Sequence, residues 1–199
     1  MPQFTDERRR EVRAALLDAG YTHFVADGLD GTTITDLTDA AGIAAGTFYS
    51  FFDSKEALYV AVLRNESQKV YDDLREVLDV HRSDPETAIR RFLEISTDAL
   101  VENPIFTRTI TRDEREHLQS RLSEEELATT RADKRELLVP SLEAWQEQGH
   151  VVAGDPNVLA SALLYISYLP LHRDDVGDEY YAAVRRTLFD WAVEMVTCE

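Results

Sequence analysis

The chain has 199 residues, 38 acidic and 21 basic, for a formal charge of −17 at pH 7. That length holds one large domain, or a small one joined to a larger one. No apolar run is long enough to span a bilayer. The charged start, MPQFTDERRREV, lacks the apolar stretch of a secretion signal, and a single cysteine, Cys198, excludes a disulfide framework or a thiolate zinc site within one chain. A cytoplasmic protein is expected.

Residues 5–27 read as a first helix, with Val12, Leu16, Ala19, His23 and Phe24 as its inward stripe and Arg8, Arg9 and Arg10 near its beginning. His23 is expected as a packed core residue. In residues 32–58 Thr33 can cap a second helix, with Asp36 three residues on where a capping-box acid sits. Ile34, Leu37 and Ala41 share a face, and Gly42 follows where a left-handed C-cap suits glycine. A short helix over residues 45–52 comes next, and then a long helix capped by Asp53 and running to about residue 80. Helix, glycine turn, helix is the layout of a helix-turn-helix, whose second helix enters the DNA major groove N-terminus first.

The leading residues of that helix, Ala44, Ala45, Gly46 and Thr47, are small, so backbone and groove can approach closely. Thr47 offers a hydroxyl and a methyl to base edges. Thr33, Tyr49, Ser50 and Lys55 carry donors suited to phosphate oxygens. Phe48, Phe51 and Phe52 anchor so short a helix.

The segment resembles the DNA-binding domain of the TetR/AcrR family of transcriptional regulators. The matching residues are Thr32 and Thr33, Ala41-Gly42-Ile43, Gly46-Thr47-Phe48-Tyr49, Phe52, Ser54-Lys55-Glu56 and Leu58, preceded by Leu16, Ala19, Phe24 and Gly28. Two positions depart from the family's usual residues. Ala44 stands where Ser or Thr is usual, a loss of about 0.5–2 kcal/mol at an N-cap. Gly20 stands for a usual Ala, about 1 kcal/mol in a helix interior. The resemblance implies a helix-turn-helix domain over residues 1–52 and a ligand-binding and dimerisation domain over residues 53–199. It also implies that the long helix after Asp53 links effector binding to the spacing of two DNA-reading heads.

Further along, Pro85 suits the first turn of a helix over about 85–102, and Asn103-Pro104 starts a shorter one through roughly residue 118. Ser123 and Glu126 form a second capping box, opening a helix that ends at Gly149 and is expected to kink at Pro140. Asp155-Pro156 opens another to about residue 169, with Pro170 at its end or bend, and the last helix spans about 178–196. No strand-like alternation of useful length occurs, so the chain reads as all-α with about nine helices. The final helix spaces Tyr181, Val184, Leu188, Trp191 and Met195 as a seam, and the preceding one offers Leu159, Ala162, Leu163 and Ile166. The family resemblance implies that these pair across a two-fold axis; packing inside one subunit is the alternative. A largely apolar effector cavity is expected among Phe92, Ile105, Phe106, Leu138, Trp145, Tyr165 and Tyr168, with Thr107, Thr111 or the tyrosine hydroxyls as polar groups.

Other chemistry is sparse. Glu114 with His117, and Glu147 with His150, have the Glu-x-x-His spacing of di-iron carboxylate bundles, but Gly149 interrupts the second pair. A helical adaptor dimer without DNA binding is a further alternative. The acidity has two readings, a solvated surface around a locally basic face (Arg8, Arg9, Arg10, Arg13, Lys55) or the Lys-poor surface of a protein from a salt-accumulating organism. The second is preferred, and it implies DNA binding with a shallow or reversed salt slope. The expected whole is a homodimeric regulator, a repressor released from a palindromic operator on double-stranded DNA by a small-molecule effector, with no cofactor, metal or membrane.

Overall fold

The computed structural model describes the backbone of residues 5–109 and 124–197 and the side chains of residues 5–108 and 135–197. Among the described residues it is all-α, with ten α-helices, one 3-10 turn and a lone bridge between Val151 and Thr197. The chain divides into two compact units. The first takes in residues up to Ser67 and the short helix beginning at Pro104, and the second takes in Gln68–Asn103 and the chain from Ala128.

In the first unit, α1 (Asp6–Gly31) starts at Thr5, whose hydroxyl accepts from the Arg8 amide at 3.2 Å. The regular helix stops at Gly28, which takes φ 73°, and Leu29 is buried in the turn beyond. The sequence-based end at residue 27 therefore marks the true break. The inward stripe forms as expected except at His23, which is half-buried with Nδ1 3.8 Å from Asp27. Helix α2 (Ile34–Ala40) has its full capping box: the Asp36 amide donates to Thr33 Oγ1 at 3.2 Å, and the Thr33 amide returns a bond to Asp36 Oδ2 at 2.9 Å. Its far end is a Schellman turn, with Gly42 at φ 66° and Ile43 N–H reaching Thr38 O at 3.0 Å.

Helix α3 is shorter than expected, a single turn over Ala45–Phe48 followed by turn bonds out to Phe52, whose amide donates to Phe48 O at 3.1 Å. Without a side-chain cap at Ala44, it is held by the burial of Phe48 and Phe52 rather than by its own hydrogen bonds. Helix α4 (Lys55–Val80) is capped by Ser54, whose Oγ accepts from the Ala57 amide at 3.0 Å, and not by the exposed Asp53. Where α1 meets α4, a Cβ on Gly20 would stand 2.9 Å from Val62 Cγ2. The glycine that looked like a propensity defect is what lets these two helices touch. Helix α6 (Pro104–Thr109) adds Ile105 to the same core.

The second unit holds α5 (Pro85–Glu102), α7 (Glu124–Glu147, of which the first residues precede the unit), α8 (Pro156–Ile166), the 3-10 turn Leu169–His172, the four-residue α9 (Arg173–Val176) and α10 (Asp178–Val196). Asp84 and Asp155 cap α5 and α8, and Pro85 and Pro156 occupy their first turns, where the sequence opens these two helices. Helix α8 stops short of the expected residue 169, and α9 is the element that sequence patterning does not anticipate. Helix α7 continues through Pro140 and ends before Gly149, at φ 76°. The expected cap at Ser123 lies outside the described residues. Phe92, Leu138, Leu142, Trp145, Leu163 and Phe189 centre the core of this unit.

Candidate nucleic-acid interface

Ala44, Ala45 and Gly46 are exposed, and Thr47 is half-buried one turn into the α3 region. Gly46 has nothing within 4 Å of where a Cβ would lie, so its small size leaves open space on the face rather than relieving a contact inside the protein. Thr33, Tyr49 and Ser50 are exposed as well, Tyr49 with its ring edge-on to Phe48 at 5.6 Å. Hydrogen bonds from the Thr33 hydroxyl and amide hold the Asp36 carboxyl below its ordinary range.

Lys55 departs from expectation. Its ammonium, proposed for phosphate, turns inward and donates to Leu29 O at 2.6 Å and Thr32 O at 2.9 Å. Those carbonyls lie in the turn that follows the break of α1 at Gly28. The lysine thus ties the start of α4 to the end of α1. In its place the structure brings Arg9 to the reading helix: Arg9 Nη2 donates to Ser50 O at 3.0 Å and its guanidinium lies over the Phe51 ring at 5.2 Å. Arg13 lies over Phe52 at 5.4 Å. The sequence counted these arginines as a basic face, but no spacing rule links residue 9 to residue 50.

The residues expected to line an effector cavity are shared between the two units. Phe92, Leu138 and Trp145 are buried in the second unit's core, with Trp145 Nε1 donating to Arg82 O at 2.7 Å. Ile105 and Phe106 belong to the first unit's core instead. Tyr165 is 80% exposed, and Tyr168 is half-buried beside it, ring centres 6.3 Å apart. Thr107 is exposed, and Thr111 lies outside the described residues. Apolar clustering along the chain could not say which core each residue joins, because α6 changes unit. The polar group that patterning missed is Ser96 on α5, 2% exposed, whose Oγ has no hydrogen-bond partner among the described residues.

The expected interface set also splits. Leu163 is buried in its own subunit, and Leu159 and Ile166 pack half-buried against that core. Tyr181 is half-buried; burial of its hydroxyl raises its pKa. Ala162 is exposed, Val184 and Leu188 are half-buried, and Trp191 and Met195 are 59% and 75% exposed. The outward residues are Val158, Ala162 and Tyr165 on α8, and Tyr180, Val184, Leu188, Trp191 and Met195 on α10. Those spacings, 4 and 3, then 4, 4, 3 and 4, were in the sequence, whose seam began at the half-buried Tyr181 where the exposed residue of the first turn is Tyr180. Of the two Glu-x-x-His pairs, Glu114 and His117 lie outside the described residues. Glu147 and His150 flank the turn at Gly149, and no metal-binding group of three His, Cys, Asp or Glu occurs among the described residues. No helix of the described residues is long and apolar enough to cross a membrane.

A capped α2, a glycine turn and a short exposed helix of small residues, among otherwise helical described residues, define a helix-turn-helix DNA-binding domain. Residues 16–62 match the profile of bacterial regulatory proteins of the tetR family. The HTH-type transcriptional repressor KstR2 of Rhodococcus jostii (strain RHA1) is 31% identical over 137 residues, which span 69% of this chain and 66% of that protein. Among solved structures, one concerned with control of antibiotic production by bacterial hormones superposes with a TM-score of 0.72 at 21% identity, covering 94% of this chain and 98% of the other. A TetR-family transcriptional regulator from Pectobacterium atrosepticum gives 0.65 at 23%, covering 96% and 93%. The chain belongs to the TetR family.

Proposed function

We propose that this protein is a homodimeric repressor that reads a palindromic operator through Ala45, Gly46 and Thr47 and leaves it when a small, largely apolar effector binds the second unit. The observation that carries the reading is the exposed first turn of α3, whose small residues leave the backbone open to a major groove. Support for the dimer is the pair of outward apolar stripes on α8 and α10, which only a second copy would cover symmetrically. Support for an effector is Ser96 on α5, a buried hydroxyl in the second unit with no hydrogen-bond partner among the described residues, a natural anchor for one polar ligand atom. Residues 1–52 and 53–199 remain the proposed functional division. The acid-rich surface, with only three lysines, fits a cytoplasm of high salt.

Selection of bound duplexes from a random-sequence pool, followed by footprinting, tests the core of this reading. One or a few two-fold symmetric sites are expected, and Thr47→Ala is expected to relax preference at one base pair by about 1–3 kcal/mol. Retention of no sequence, or of unrelated sequences only, would leave a helical adaptor as the better description. Trp191→Glu with Met195→Glu should convert a dimer to a monomer in light scattering; a dimer that survives both places the interface elsewhere.

A further inference from the structure

The arginines of this acidic chain sort by partner. Six in the second unit stand within 3.0 Å of a carboxylate oxygen. On α1, Arg8 pairs with Glu11 at 3.0 Å. Arg9, Arg10 and Arg13, on the same helix, make no ion pair among the described residues; Arg10 bonds to Asp6 O within its own helix, whereas Arg9 and Arg13 turn toward the α3 region. Both are exposed, and both rest on the aromatic residues that follow α3, with Arg9 also bonded to Ser50 O at 3.0 Å.

Residues 40–52 contain no charged side chain beyond Asp39 and Asp53, which flank them. The nearest lysine along the chain, Lys55, is engaged with two backbone carbonyls. A duplex approaching α3 therefore meets a neutral helix between two acids, and cations must come from another element. A guanidinium has five donors in a fixed fork, so one bond to Ser50 O leaves a pair of N–H groups for a phosphate. Arg13 also borders an open groove of about 370 Å³ shared with Arg64 and Asn65, which leaves room for an anion beside it.

Building on the DNA-binding reading above, we propose that Arg9 and Arg13, rather than Lys55, are the residues that take DNA backbone phosphates. Arg9 is a positioning residue as well, since its bond to Ser50 O fixes the phosphate-binding group and the base-reading turn in one frame.

The experiment is a salt titration of full-length dimer on a selected operator and on an unrelated duplex, for wild type, Arg9→Gln, Arg13→Gln and Lys55→Gln, with thermal melts of each. Each arginine variant is expected to flatten the slope of log affinity against log salt by about 0.9 for every phosphate it no longer neutralises, in both heads and on both duplexes. Lys55→Gln should leave that slope unchanged and lower the melting temperature. Arg9→Lys, which keeps the charge and removes the fork, should restore the slope and not the full operator affinity. Wild-type binding with slopes that only Lys55→Gln alters overturns the assignment alone. Wild-type failure to bind any duplex removes the DNA-binding reading and the assignment with it.

Discussion

The two units are wired differently. In the first, the long-range polar ties run from side chain to backbone: Lys55 to Leu29 O and Thr32 O, Arg9 to Ser50 O, and Arg108 to Val25 O and Ala26 O at 3.4 and 3.5 Å. In the second, Trp145 Nε1 makes one such tie, to Arg82 O at 2.7 Å, and α5 and α10 are joined by side-chain ion pairs, Arg90 to Asp190 and Arg185 to Asp98, both at 2.7 Å. A bond to a carbonyl fixes where the main chain lies. An exposed ion pair leaves two long side chains to adjust, and contributes little. A head that must match a rigid groove needs the first kind of wiring; a body that admits an effector, as proposed above, tolerates the second.

The largest effect that tests this contrast is expected at Phe48. Its ring is fully buried and anchors a one-turn helix that lacks a side-chain cap. Phe48→Ala should cost about 3–5 kcal/mol in urea unfolding and abolish operator binding. A cost near ~1 kcal/mol, the scale of an ordinary substitution, would mean that α3 is held by something other than its aromatic anchor.

Lys55→Met comes next. It removes two charge-assisted hydrogen bonds to carbonyls in a half-buried setting, worth about 1.5–3 kcal/mol. If the melting temperature stays put while DNA affinity drops, backbone wiring is not what organises the head.

Gly20→Ala sets two effects against each other. Alanine gains about 1 kcal/mol of helix propensity, but its Cβ would press on Val62 Cγ2, and overpacking of this kind costs about 1–3 kcal/mol. Val62 is fully buried and stiff at χ1, so it cannot swing clear. Net destabilisation is expected, and it should shrink in a Val62→Ala background, a coupling that a double-mutant cycle reads directly. Equal costs in both backgrounds would break the account of how α1 packs on α4.

These positions also show why the head was legible in the sequence and the body less so. Thr33, Asp36 and Gly42 act through local backbone geometry at fixed offsets of a few residues, and the capping box and Schellman turn stand where those offsets put them. Tyr165 and Ile105 illustrate the opposite case. Both are large and apolar in helical stretches, yet one is 80% exposed and the other completes a core built mainly from residues 12–62. Periodicity tells which face of a helix is apolar, not which partner covers it. Arg9 and Lys55 were legible as cations, but their partners lie 41 and 26 residues away, and no local rule reaches that far.

A smaller effect is expected in the body. Asp98→Asn breaks the 2.7 Å pair with Arg185, but Asp98 is partly solvated, so the loss should be about 0–1 kcal/mol and should fade in molar salt. A loss equal to that of Lys55→Met would erase the distinction between the two kinds of wiring.

The smallest effect is one of pH, and it compares a cap in each unit. The carboxyls of Asp36 and Asp84 sit below their ordinary pKa of 3.8 because a threonine hydroxyl and amide donate to each, Thr33 to Asp36 and Thr87 to Asp84. A lowered folded-state pKa means that the unfolded chain binds the proton more readily. The stabilisation is therefore complete above the unfolded value and is lost as pH falls through the folded one. Asp36→Asn and Asp84→Asn should each destabilise near neutrality, and the gap to wild type should close as pH falls through the lowered folded-state pKa, measured as urea midpoints down the acid limb. The Asp36 variant should also lose operator binding at neutral pH while the Asp84 variant keeps it, because α2 is seven residues long and relies on its cap, whereas α5 is eighteen residues long with eight of them buried. Equal loss of DNA binding in both would mean that the caps act on overall stability alone, and that the head is no more sensitive to the geometry of its backbone than the body.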